Sequence, residues 1–278
     1  MIIDRKTIEM FEKYLIENER SSATVEKYVR DVGRFDDWLG KDEVNKAKVL
    51  EYKRILVEKY SPASVNAAVA SLNCFFDFIN HSELKIKGLK IQRKIFENKE
   101  KELTKAEYER LLHAAKVKGN NRLYYLMQTI CSTGIRVSEV KFVTVEALRL
   151  KRVQINCKGK MRVVILPDKL CRMLVDFAKR EKIQKGAVFV TKNGNPLDRS
   201  NIWNDMKSLC SDANVDKSKV FPHNLRHLFA RTYYSIQKDI VRLADILGHS
   251  SINTTRIYTM ETGDVHRRQI EKLNLLRC

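Results

Sequence analysis

Residues 152–167, RVQINCKGKMRVVILP, decide the fold class, because they interrupt a chain that otherwise reads as helices. Apolar and polar side chains alternate on both sides of Lys158-Gly159, which is the period of paired strands around a turn. Upstream, LTKAEYERLLHAA (103–115) reads as a capped helix and NRLYYLMQTICSTG (121–134) as a second. Downstream come a helix from about Asp168 to Glu181, a short strand GAVFV (186–190), a turn TKNGNPL (191–197) and further helical segments. The expectation for residues 102–278 is a mainly α domain carrying a small antiparallel β-sheet.

The first 88 residues read as successive helices, with apolar side chains at three and four spacing in Ile8, Phe11, Leu15 and in Val32, Phe35, Trp38, Leu39. Ser22 marks the start of ATVEKYVRDVGRFDDWL, with Glu26 nearby, and Ser61-Pro62 opens ASVNAAVASLNCFFDFI, where proline suits a first turn. Free N–H groups at such ends also attract phosphate, but capping alone accounts for both serines. From about Lys85 to Lys101 the text KIKGLKIQRKIFENKEK loses its periodicity while repeating lysines. Residues 89–101 are therefore read as a basic linker, either solvated or lying along a nucleic-acid backbone. The division is a helical domain at 1–88, this linker, and a mixed domain at 102–278.

Apolar residues at 44% and charged residues at 31% describe a globular chain with enough aliphatic content to bury a core. No stretch approaches the roughly 18 apolar residues of a membrane span, and MIIDRKTIEMFEKY is charged and amphipathic, unlike a signal peptide; the expected location is cytoplasmic. The six cysteines are scattered without a CxxC pair or Cys/His cluster, so a metal site and a redox pair are not expected. Both GxxxxGK[ST] and GxGxxG are absent, which argues against nucleotide-driven chemistry. The formal net charge is +19, and residues 101–278 hold 34 basic against 17 acidic side chains, the footprint of a polyanion binder. Nucleic acid is the leading partner.

Three segments then stand out: STGIRVSEV (132–140), PHNLRHLFA (222–230) and LGHSSINTTRIYT (247–259). Singly, Arg136 reads as surface charge, His223 and His249 as satisfied histidines, and Tyr258 as an amphipathic core tyrosine. In this order on one basic chain they resemble the motif boxes of the tyrosine recombinases of the phage-integrase family. Those boxes are an arginine in TGxR, then HxLRH, then LGHxSxxTTxxYT ending in the nucleophile. The resemblance covers essentially the whole catalytic half, and the front half is similar to the family's core-binding domain in length and helical character.

The resemblance implies attack by Tyr258 on a DNA phosphodiester, giving a 3′-phosphotyrosyl enzyme and a free 5′-hydroxyl, then religation to another strand. Bond energy is conserved, so no ATP or other cofactor is implied. Arg136 and Arg226 are implied to hold the phosphate, and guanidinium forks suit the charge that gathers on its non-bridging oxygens. An ordinary phenol is only about 0.1% ionised at pH 7, a deficit of roughly 4 kcal/mol that positioned charge must offset. His223, one helical turn before Arg226, is assigned to proton handling and phosphate orientation, and His249 to a hydrogen bond with the scissile phosphate. Lys158 is the implied general acid for the leaving oxygen, with Lys160 close by as the alternative. Glu139 is implied to orient basic side chains, and His227 to give structural support. Tyr233 and Tyr234 lack this context and read as packing residues.

In the family, a tail such as METGDVHRRQIEKLNLLRC (260–278) docks on a neighbouring protomer of a homo-tetramer bound to double-stranded DNA with inverted-repeat core sites; the alternative is a helix packed on its own chain. Two rivals differ in class. One is a type IB topoisomerase or telomere resolvase with the same nucleophile. The other is a catalytically silent DNA-binding accessory protein on the same fold. Integration and excision of a mobile element, or resolution of dimers, both remain open from sequence, as does the DNA target.

Overall fold

The apolar spacing of the front half resolves into four helices: α1 (Arg5–Glu17), α2 (Ser22–Leu39), α3 (Lys46–Lys59) and α4 (Pro62–Phe78). The computed structural model describes residues 3–91, 101–157, 160–191, 193–258 and 271–273. It divides into the units Met1–Arg93 and Lys94–Cys278. In the first unit Phe11, Phe35, Phe75 and Phe76 are fully buried, with Phe11 meeting Phe75 edge-to-face at 5.2 Å. Such aromatic pairs add roughly 0.5–1.5 kcal/mol beyond the area they bury.

Two local readings are corrected. Helix α2 begins at Ser22 with Ser21 as its N-cap, and the Ser21 hydroxyl pairs with the Thr24 hydroxyl at 2.8 Å instead of a backbone N–H. The loss of periodicity at Lys85 is not yet a linker, because residues 85–89 are strapped onto the first unit. Asn73 and Asn66, two turns apart on α4, each clamp a residue at both backbone groups: Asn73 takes Ile86 at 2.9 and 2.9 Å, and Asn66 takes Leu89 at 2.6 and 2.9 Å. Ile86 is buried. An amide that replaces a missing strand neighbour satisfies the backbone without periodicity in the clamped segment.

The second unit runs α5 (Lys105–Val117), α6 (Asn121–Thr133), a 3₁₀ turn Val137–Phe142, α7 (Val145–Arg149), β1 (Arg152–Cys157), β2 (Lys160–Ile165), α8 (Asp168–Arg180), α9 (Arg199–Lys207), α10 (Pro222–Gln237), α11 (Ile240–Leu247), α12 (Ile252–Thr255) and a 3₁₀ turn Arg256–Tyr258. Helix α5 carries a full capping box, in which Thr104 accepts from the Glu107 N–H and Glu107 accepts from the Thr104 N–H. Strands β1 and β2 pair antiparallel from Arg152↔Ile165 to Cys157↔Lys160, as the alternation at 152–167 predicts. Val153, Ile155 and Val164 face the core, and Met161 and Ile165 face solvent. The segment GAVFV is not a strand: the described residues there form only isolated bridges, Thr144↔Ala187 and Val190↔Pro196, and Val188 and Phe189 are both buried. No described helix is long and apolar enough to cross a membrane.

Candidate active site

Helix α10 starts with Pro222 in its first turn and places His223, Arg226 and His227 at i, i+3 and i+4, on one side of the helix. Arg226 is 1% exposed. Burying a guanidinium costs several kcal/mol unless its donors are met, and here both terminal nitrogens have acceptors while Nε has none. Nη1 donates to the Gly134 carbonyl, and Nη2 donates to the Leu247 carbonyl at 2.8 Å and to His249 Nε2 at 3.0 Å. Burial first, then Arg136 and Arg162, bring the Arg226 guanidinium down to about 10.

The acceptors are chain ends of helices. Gly134 is the left-handed C-cap of α6, and a Cβ there would sit 2.5 Å from Phe229 Cδ1, so only glycine fits. Helix α11 ends at Leu247, with Gly248 in the left-handed region at φ +61°. Its last carbonyls form the negative end of a helix dipole. Arg136 Nη2 donates to the Gly248 carbonyl at 3.1 Å, beside the Leu247 carbonyl that takes Arg226. Glu139, itself buried, accepts from the Arg136 backbone N–H and from Arg136 Nη1, both at 2.9 Å.

His249 fixes its own tautomer. Arg226 can only donate, so His249 Nε2 carries the lone pair, and the ring proton sits on Nδ1 and is donated to Thr255 Oγ1 at 2.8 Å. Burial first, then Arg226, Arg136 and Arg162, hold this imidazole down at about 4, so it is neutral at pH 7. His227 is likewise brought down to about 4 by burial and then by His223. His223 is exposed, yet its imidazole is lowered, first by partial desolvation and then by Arg226, Arg136 and Arg199.

Tyr258, 4% exposed, closes the group. Its ring meets His227 edge-to-face at 4.9 Å and stacks on His249 at 6.1 Å, and Ala230, Leu243 and Leu247 wall the phenol. His223 completes the array by packing on His227 at 4.5 Å. A phenol, three neutral or easily neutralised imidazoles and a cluster of guanidinium groups balanced by one carboxylate can receive an anionic phosphoryl group and attack it. Among the described residues no group of three or more His, Cys, Asp or Glu side chains is arranged to hold a metal.

The sequence pattern of the phage integrase family matches residues 101–263, and that of its N-terminal SAM-like domain matches residues 8–83. The chain belongs to the phage integrase family. Among curated relatives, tyrosine recombinase XerA of Pyrococcus furiosus is 27% identical over 281 residues, covering 98% of this chain and 95% of its own. Tyrosine recombinase XerH of Campylobacter jejuni is 37% identical over 172 residues, covering 58% of this chain and 49% of its own. A lambda integrase (75–356) dimer bound to a COC′ core site shares the fold, with TM-score 0.73 at 16% identity over 93% of this chain and 95% of that one. The chain is a tyrosine recombinase, and the silent reading of the fold is not favoured.

Within this tyrosine recombinase the structure gathers Arg136, Glu139, His223, Arg226, His249 and Tyr258 into one site. Lys158 lies outside the described residues. Lys160 is in register opposite Cys157 on β2. Tyr233 and Tyr234 pack beside the Ala230–Leu247 cluster and not at the guanidinium groups. Sequence reasoning missed Thr255, whose hydroxyl takes the His249 Nδ1 proton, the ring contact of His227 with Tyr258, and Arg162. The last had a legible signal: Arg162 pairs with Ile155 and shares the parity of Val164, so a cation stands where the hairpin faces its core.

Proposed function

We propose that this tyrosine recombinase cleaves and rejoins double-stranded DNA at inverted-repeat core sites with Tyr258 as nucleophile. The phenolic oxygen forms a bond to the scissile phosphorus, the bond to the 5′-oxygen breaks, and that oxygen leaves with a proton. The observation that carries the assignment is the Tyr258 ring held against His227 and His249, with His249 hydrogen-bonded to the buried Arg226. Arg136 and Arg226 hold the non-bridging oxygens, His223 handles the phenolic proton, and Lys158, or Lys160 beside it, protonates the leaving oxygen. Glu139 orients Arg136. His249 must carry its proton on Nε2 to donate to phosphate, and an arriving anion favours that change by offsetting the guanidinium field that keeps the ring neutral.

In this reading residues 1–88 form the core-binding domain, 89–101 the basic linker and 102–278 the catalytic domain. The protein acts in the cytoplasm as a homo-tetramer exchanging its C-terminal helix, a segment that lies almost wholly outside the described residues. The lambda integrase dimer bound to a COC′ core site supports the choice of partner.

The test is covalent trapping. The protein is incubated with its source genomic DNA in EDTA, denatured, and the DNA ends left attached are sequenced. Attached 3′ ends clustered at one inverted-repeat site are expected. Well-folded protein that binds DNA and leaves no adduct would return the weight to a silent DNA-binding module.

A further inference from the structure

Arg162 belongs to none of the motif boxes, yet its side chain is threaded through the site. It leaves β2 on the core face, 11% exposed, and passes over the Cα of Gly248 so closely that a Cβ there would overlap Arg162 Cδ. Nη1 donates to the Leu247 carbonyl, the same oxygen that accepts from Arg226. Nη2 stands 3.4 Å from Glu139 Oε2, while Glu139 Oε1 holds Arg136. Arg162 therefore touches a partner of each phosphate-binding arginine.

We propose that Arg162 is a positioning residue for strand cleavage: it pins Glu139 and the C-terminal corner of α11 together, and so sets the directions of the Arg136 and Arg226 guanidinium groups. Two features support this over a direct role. Among the described residues Arg162 makes no hydrogen bond or ion pair with His223, His249 or Tyr258, whereas Arg226 is bonded to His249. Its two acceptors come from the 3₁₀ turn after α6 and from the end of α11, which no other described side chain joins in this way except Arg136 itself. A cation between a carboxylate and a helix C-terminus is favoured by charge on one side and by dipole on the other. Lysine offers one charged point where arginine offers a fork, so it can serve one acceptor but not both.

The inference rests on the recombinase reading, and the experiment separates the two. The full-length wild type, Arg162→Lys and Arg162→Ala are compared on a nicked duplex carrying the site recovered by end mapping. Three quantities are read: melting temperature, DNA Kd, and single-turnover cleavage at saturating DNA. Cleavage is expected to fall about 100-fold in Arg162→Ala and about tenfold in Arg162→Lys, with Kd within about threefold, as for loss of groups that orient reacting side chains. The same duplex is then made with a neutral methylphosphonate at the scissile position. Its transition state carries one negative charge fewer and demands less of the guanidinium pair, so the Arg162→Ala loss should shrink to below about tenfold. Equal losses on both substrates would make Arg162 a general stabiliser of the fold and overturn the proposal. Weaker binding with unchanged cleavage at saturation would make it a DNA contact and overturn it too. Absence of cleavage by the wild type would instead sink the recombinase reading, whatever the variants do.

Discussion

In the first unit the buried charge is Asp31, 8% exposed, and its carboxylate is met by Lys27 at 2.5 Å and by the Ser71 hydroxyl at 2.8 Å. In the second unit the most deeply buried charge among the described residues is Arg226, 1% exposed, and its charged neighbours include two more arginines and one carboxylate, the buried Glu139. The Asp31 cluster is closed in its own charge: one cation and one hydroxyl meet one anion, beside a cavity that Arg30 and Arg34 also line. The site cluster is open: three guanidinium groups face one carboxylate, an excess of two positive charges, and carbonyl dipoles share with Glu139 the holding of those groups. A chain selected for stability alone would not gather like charges in a desolvated pocket. The contrast marks the second cluster as a receptor for an anion.

Breaking the open cluster is expected to have the largest effect. Arg226→Lys cannot serve the Gly134 and Leu247 carbonyls and His249 together, so cleavage should drop about 10²- to 10³-fold with the fold retained, the cost of removing one preorganised donor. Single-turnover cleavage with circular dichroism reads both, and cleavage within a few-fold of wild type would refute the role.

The next comparison uses two glycines with positive φ. Gly40 in the first unit, at φ +64° and ψ −117°, has no atom near its missing Cβ, whereas Gly248 at the site, at φ +61° and ψ +50°, is crowded by Arg162. Gly40→Ala should cost about 1–3 kcal/mol through backbone strain, and the same in an Arg162→Ala background. Gly248→Ala should cost about 3 kcal/mol or more, and only about 1–2 kcal/mol in that background, where the left-handed penalty alone remains. Denaturant melts of the four variants read the losses; an equal loss at Gly248 in both backgrounds would mean that Arg162 yields freely.

Opening the closed cluster should be milder. Ser71→Ala removes one hydrogen bond from Asp31 and is expected to cost about 1–2 kcal/mol, with cleavage at saturating DNA unchanged. A cleavage defect larger than the stability loss would break the division between the two clusters.

A pH slope in the second unit is also expected. His227 and His249 are held at about 4, below the unfolded value of about 6.5. Between these values the unfolded chain binds protons that the folded chain does not. Stability that is full above about pH 6.5 is therefore lost as pH falls through this window towards 4. Thermal melts across pH 4 to 8 should show the loss, and His227→Phe should reduce it; a melting temperature that rises on acidification would contradict the assignment.

The hairpin at 152–167 was legible because alternation of period two survives wherever one face is buried. GAVFV was misread because Val188 and Phe189 are buried in succession in a segment held by bridges on two sides, a pattern that a buried strand would also show. The strap at residues 85–89 was invisible because its order comes from Asn66 and Asn73, twenty-three and thirteen residues upstream of what they clamp. At the site, motif order pointed to residues that the structure gathers around Tyr258. It could not show that helix C-termini collect the arginines, since backbone carbonyls leave no letter in the sequence. Arg162 lay between these cases, written in the parity of β2 and missed because attention was on the boxes.

The central claim is that the Tyr258 oxygen becomes bonded to DNA, and the most direct measurement is to find that bond. Trapped adduct is digested with protease and nuclease, and the nucleotide-bearing peptide is sequenced by mass spectrometry. The account predicts a phosphonucleotide on Tyr258, and no adduct from Tyr258→Phe protein that still binds DNA. A nucleotide on Tyr233, Tyr234 or any other side chain, or undiminished adduct from Tyr258→Phe, would contradict it.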